Sequence, residues 1–131
     1  MVKFFATLVL LLSATLSVSA EKQTYSGYVD DKYGVYVYLD VNYKTGKVTG
    51  KYCYESTYNK YGDKPSSYLY MSGTYSRKTG EIQLRVTDHK GNYVETWSGI
   101  QLPDVRTMHI EGTITMKNGK KLPVYVSYWF K

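Results

Sequence analysis

Val35, Val37, Leu39 and Val41 alternate with Tyr36, Tyr38, Asp40 and Asn42. That every-second-residue pattern puts apolar side chains on one face of a strand and polar ones on the other. The same period returns in Ile82, Leu84 and Val86 against Gln83, Arg85 and Thr87, and in Met108, Ile110, Ile114 and Met116 against His109, Glu111, Thr113 and Thr115. Leu122, Val124, Val126, Tyr128 and Phe130 continue it near the end of the chain. Almost nothing after residue 21 has a helical period. Faces of this kind cover a core on one side and meet water on the other.

Between these runs the turn signals are regular: Asp30-Asp31-Lys32, Lys44-Thr45-Gly46-Lys47, Arg77-Lys78-Thr79-Gly80, Asp88-His89-Lys90-Gly91 and Lys117-Asn118-Gly119-Lys120. Glycine supplies the positive φ that tight hairpins need, and Asn-Gly is the strongest such signal. The spacing predicts eight strands, over 24–30, 33–43, 47–57, 67–76, 81–88, 92–102, 106–116 and 121–130. One strand resists a single phase. Tyr93, Glu95, Trp97 and Gly99 share the inward parity, whereas Ile100 and Leu102 fall on the other. A bulge near Gly99 reconciles the two sets by inserting one residue, and whether Glu95 points inward depends on that phase.

A weak repeat sharpens the architecture. Tyr25-Ser26-Gly27-Tyr28, Thr49-Gly50-Lys51-Tyr52, Ser72-Gly73-Thr74-Tyr75, Trp97-Ser98-Gly99 and Glu111-Gly112-Thr113-Ile114 each place a glycine inside a strand, mostly in phase with inward residues. Interior glycine weakens a strand unless the strand bends sharply or packs closely. Repeated inward glycines therefore point to strands coiling into a small barrel. The expected fold is all-β: an eight-stranded antiparallel up-and-down meander barrel, with a flat sandwich as the competing arrangement.

Composition adds an address. Lys3, the apolar run Phe4–Leu12 and the small residues ending Val18-Ser19-Ala20 before Glu21 form a cleavable signal peptide over 1–20. The apolar run is shorter than the ~20 residues of a membrane span, and no cysteine follows the cleavage point as it does in a lipoprotein. The expected product is a single barrel domain over 21–131, secreted or periplasmic, with no membrane span. The single Cys53 allows no internal disulfide; by parity it faces outward and reads as a small packing residue. The formal charge of +6 becomes +5 without Lys3, and the hairpin tips at each end of the barrel net +3. Charge shared in this way keeps a β protein soluble and lacks the one-sided basic stripe of a nucleic-acid binder.

Thr49-Gly50-Lys51-Tyr52 resembles the Thr-Gly-x-Tyr third strand of the avidin family, and Thr96-Trp97-Ser98-Gly99 resembles its sixth. With the export signal and hairpin-linked strands, the chain looks like an avidin- or lipocalin-type up-and-down barrel; it is also similar to uncharacterised bacterial secreted β-repeat proteins, which brings no function with it. The resemblance implies that Tyr52 and Trp97 hold positions that touch biotin in that family. Tyr54 and Glu95 stand where the family has hydroxyls, so what is implied is the architecture without the groups that read biotin.

Chemistry is sparse. His89 lies in a turn and His109 on an outward face, each expected to be solvated and solitary, and no CxxC or HxxxH spacing is present. No metal, cofactor or catalytic constellation is expected, and the chain is not expected to be an enzyme. The informative remainder is aromatic: Tyr28, Tyr36, Tyr38, Tyr125 and Trp129 have outward parity on the first, second and eighth strands. Closing a barrel gathers them into one patch, a candidate surface for a protein or glycan, with Tyr68 and Tyr70 as a second outward group. Tyr58, Tyr61, Glu95 and Trp97 form a candidate mouth. The expected function is a secreted non-catalytic binding module acting through the tyrosine surface; the alternatives are a small-molecule carrier using the mouth and an inhibitor of a secreted hydrolase.

Overall fold

The computed structural model describes residues 20–57, 67–103 and 105–129. Eight strands follow one another: β1 (Ala20–Val29), β2 (Tyr33–Asn42), β3 (Lys47–Tyr54), β4 (Leu69–Tyr75), β5 (Glu81–Thr87), β6 (Tyr93–Pro103), β7 (Thr107–Met116) and β8 (Lys121–Trp129). Each pairs antiparallel with the next, and β8 returns to β1, closing an up-and-down barrel. Closure removes the exposed edges of an open sheet, and the sandwich alternative falls away. Residues 1–19 of the expected signal peptide, with Tyr58, Tyr61 and Phe130, lie outside the described residues, whereas Ala20 opens β1.

The alternation decides which side chains fill the barrel. Val35, Val37, Leu39 and Val41 of β2, Ile82, Leu84 and Val86 of β5, and Val124 and Val126 of β8 are all buried in one cluster with Tyr25, Tyr52 and Trp97. Eight strands enclose a space about wide enough for side chains to fill, and these large residues fill it. Two glycines show why small residues recur in the inward phase. A Cβ added to Gly73 would land on the carbonyl oxygen of Gln83, and one on Gly112 would strike that of Ser98. The strands approach closely at these bends because no side chain intervenes.

Hairpin tips follow the turn chemistry. Gly46, Gly80, Gly91 and Gly119 all have positive φ, and in the first turn two aspartates do the same work, Asp30 and Asp31 both at 55°. The third predicted strand is shorter than expected: β3 ends at Tyr54, and Glu55–Thr57 make one 3-10 turn.

The bulge lies elsewhere than Gly99. Pairing between β6 and β7 is continuous from Glu95 to Pro103, so the expectation there is corrected. The irregularity falls where Val86 pairs Glu95 and Thr87 pairs Tyr93, leaving Val94 as the extra residue. Val94 packs against the core. Tyr93, expected inward, faces out, bonding Thr96 at 2.7 Å and lying 5.1 Å beneath the Arg85 guanidinium. Beyond the bulge the phase never flips: Gln101 is the buried residue, while Ile100 and Leu102 stay on the outer face at 41% and 42% exposure. The apolar pair misled because its hydrophobicity suggested burial that the ladder does not give it.

Candidate functional site

One outer-surface grouping of tyrosines forms where the barrel closes. β1 and β8 pair over four rows, with Ser26 opposite Ser127 and Tyr28 opposite Tyr125. Tyr28 is 56% exposed and Tyr125 43%. Beside them runs a groove of about 390 Å³ walled by Tyr28, Tyr36 and Tyr125, with Ser26 and Ser127 along it and Glu55 at one edge. Glu55 reaches this place because Gly34 has no side chain; a Cβ there would meet its Oε2. The same carboxylate also edges a second groove of about 320 Å³ lined by Lys32, Tyr33, Tyr54 and Ser56.

Tyr125 is held by a residue that the sequence placed in isolation. Its hydroxyl lies 2.8 Å from His109 Nδ1, the two rings stack at 5.4 Å, and His109 Nε2 is 3.0 Å from Thr107 Oγ1. The expectation of a solitary, solvated His109 is corrected. The register sets His109 against Ser127, so its contact with Tyr125 is a diagonal one that single-strand parity does not reveal. His89 does sit exposed in its turn.

Tyr38 does not join the seam. It contacts Tyr68 edge-on at 6.2 Å, and Lys51 Nζ stands 4.2 Å above the Tyr68 ring and 6.0 Å from that of Tyr38. With Tyr70, Lys22, Asp40 and Thr49 it lines a separate groove of about 430 Å³. The single patch expected from the sequence is therefore two surfaces. Trp129 closes β8, but its side chain lies outside the described residues. Cys53 keeps its outward parity opposite Tyr36 yet is 3% exposed.

Inside, polar groups collect at both ends of the barrel. Near the start of β1, Gln23 and Gln101 and the hydroxyls of Tyr25 and Tyr43 close a ring. Tyr25 donates to Gln23 Oε1 at 2.6 Å, Gln23 donates to Tyr43 at 2.7 Å, Tyr43 to Gln101 Oε1 at 3.1 Å, and Gln101 back to Tyr25 at 2.7 Å. Every member is neutral, and burial pushes the Tyr25 hydroxyl well above its ordinary pKa.

At the opposite end Glu95, Trp97, Tyr52 and Tyr54 meet, with Glu95 only 4% exposed. Tyr52 donates to Glu95 Oε2 at 2.7 Å and Trp97 Nε1 donates to the same oxygen at 2.6 Å. The Tyr52 ring lies 4.8 Å from Trp97 and 5.7 Å from Tyr54. Burial first, and the Glu95 charge second, push the hydroxyls of Tyr52 and Tyr54 upward. Glu95 thus points inward, and the four positions at which the chain matches or departs from the avidin pattern converge. Among the described residues no group of three or more His, Cys, Asp or Glu is placed to hold a metal, and no helix is long and apolar enough to cross a membrane.

The class these features define is a closed eight-stranded antiparallel β-barrel, compatible with an avidin- or lipocalin-like architecture. It carries tyrosine-walled grooves outside and a polar cluster at each end within. The chain matches no family model, no curated protein and no solved structure.

Proposed function

We propose that this barrel is an exported, non-catalytic binding module that holds a glycan or protein partner against its tyrosine-bearing outer face. The observation that carries the reading is the seam groove, where Tyr28, Tyr36 and Tyr125 wall a space that also presents Ser26, Ser127 and Glu55. Cross-strand pairing alone accounts for two neighbouring rings. It does not account for a groove beside them that combines apolar ring faces with hydroxyls and a carboxylate. Tyrosine offers a large contact area at low entropic cost together with a polar tip, which suits a partner that is itself part apolar and part hydroxylated.

An array of glycans and extracellular proteins, probed with wild type and with a Tyr36→Ala/Tyr125→Ala variant, tests the reading. Loss of two anchor rings is expected to weaken binding about tenfold or more. Identical binding by both proteins would remove the seam as the contact surface.

A further inference from the structure

We propose that the outer groove on strands β1 to β4 is a second binding site, independent of the tyrosine seam, that takes an acidic glycan through a hexuronate ring. Room and access are both present. The groove opens on the outer face and holds about 430 Å³, within the roughly 300–1,000 Å³ of small-ligand clefts. Register builds it from two adjacent rows of outward side chains. One row runs Lys22, Asp40, Thr49, and the next runs Thr24, Tyr38, Lys51, Tyr70. Every one of these residues lines the groove.

Charge narrows the ligand. Asp40 lies directly opposite Lys22 on one side and Thr49 on the other, so the first row sets a cation against an anion. Lys51 instead has a tyrosine directly opposite on each side, Tyr38 and Tyr70. It is half-buried, and its ammonium stands 4.2 Å over the Tyr68 ring and 6.0 Å from that of Tyr38. Ring faces on two sides attract the ammonium and restrain a long side chain. The lining therefore offers a positioned cation, and two lysines against one aspartate in all. An anionic group is its complement.

The rest of the lining says what carries the anion. Tyr70 is 43% exposed, and an aromatic ring takes the apolar C–H face of a sugar. Asp40 accepts hydrogen bonds, while Thr24 and Thr49 both donate and accept, which suits a rim of hydroxyls. A bare inorganic anion would leave the rings unused and would meet the Asp40 charge. A neutral sugar would make no use of the Lys51 charge. A hexuronate carries a carboxylate, vicinal hydroxyls and an apolar face on one ring. Its carboxylate meets Lys51 in a charge-assisted hydrogen bond, its hydroxyls meet Asp40 and the threonines, and its face lies on Tyr70.

Isothermal titration of the purified protein with trimers of galacturonate and of mannuronate, and with their neutral methyl esters, tests the site. At least one acidic trimer is expected to bind with a Kd of about 1 mM or below, more weakly as salt is raised. Its ester, and the acid on Lys51→Gln or Tyr70→Ala, are each expected to bind about tenfold more weakly or not at all. No binding of either acid, an ester as tight as its acid, or unchanged affinity in either variant would overturn the proposal. Should a variant fail to fold, the comparison of acid and ester on wild type decides alone. The Tyr36→Ala/Tyr125→Ala protein is expected to keep full affinity for the acidic trimer, so failure at the seam and failure here are separate outcomes. Loss of affinity in that protein would move the contact to the seam and overturn the second site.

Discussion

Gln101 and Glu95 lie on the same inward face of β6 and show how few residues set the character of each barrel end. Gln101 spends both ends of its amide on Tyr25, Gln23 and Tyr43. Gln101→Leu would strand buried hydroxyl and amide groups, and the expected cost is about 2–3 kcal/mol, measured by urea denaturation; a loss below about 0.5 kcal/mol would contradict the ring. The tyrosines make a second residue-level prediction. Tyr25 and Tyr52 are fully buried, and burial raises both hydroxyls above the ordinary value of 10.0. The folded state therefore holds their protons where the unfolded chain has lost them. Stability from this source is intact below pH 10 and falls as pH rises beyond it, by about 1.4 kcal/mol per pH unit for each tyrosine. Denaturation series at neutral pH and above pH 10 check this; unchanged stability with full tyrosinate absorbance would contradict it. Glu95 shares the parity of Trp97 in the sequence, but its inward direction stayed open until the phase of β6 was known. The partners that make it matter, Tyr52 and Tyr54, come from β3, far away in the chain and brought near only by closure.

Strand order, parity and turns were legible at the scale of elements because a two-residue period and glycine-bearing tips report on short stretches of chain. The bulge was not. Ile100 and Leu102 suggested a change of phase, but exposed apolar residues are tolerated singly on a sheet, and the true extra residue, Val94, carries no local mark. The first hairpin offers a test of turn chemistry. Asp30 and Asp31 both hold the left-handed conformation, which costs an L-residue roughly 1–2 kcal/mol, less for aspartate than for most. The loop has three residues between paired Val29 and Tyr33. Asp30→Asn/Asp31→Gly supplies the residue types that tolerate positive φ at both positions. It is expected to raise stability by about 1 kcal/mol, read as an upward shift in Tm. A lower Tm would mean that the aspartate side chains hold the turn in a way its backbone does not reveal.

For the whole molecule, closure is what converts a tyrosine-rich meander into surfaces. It pairs Tyr28 with Tyr125 and leaves Tyr38 on a separate groove, a division that strand parity cannot express because parity knows the face and not the position around the barrel. The same holds for Cys53, outward by parity yet buried. Its thiol is expected to resist a water-soluble disulfide reagent until denaturant unfolds the barrel, and rapid labelling of the folded protein would contradict the burial.

Without the β1–β8 seam there is neither the groove that carries the proposed function nor the enclosed end that holds Glu95. Amide hydrogen exchange across Ser26–Val29 and Val124–Ser127 tests it most directly. A closed barrel predicts that the seam amides bonded between β1 and β8 exchange as slowly as those in the long β6–β7 ladder. Fast, edge-like exchange confined to those segments would open the barrel and contradict the account.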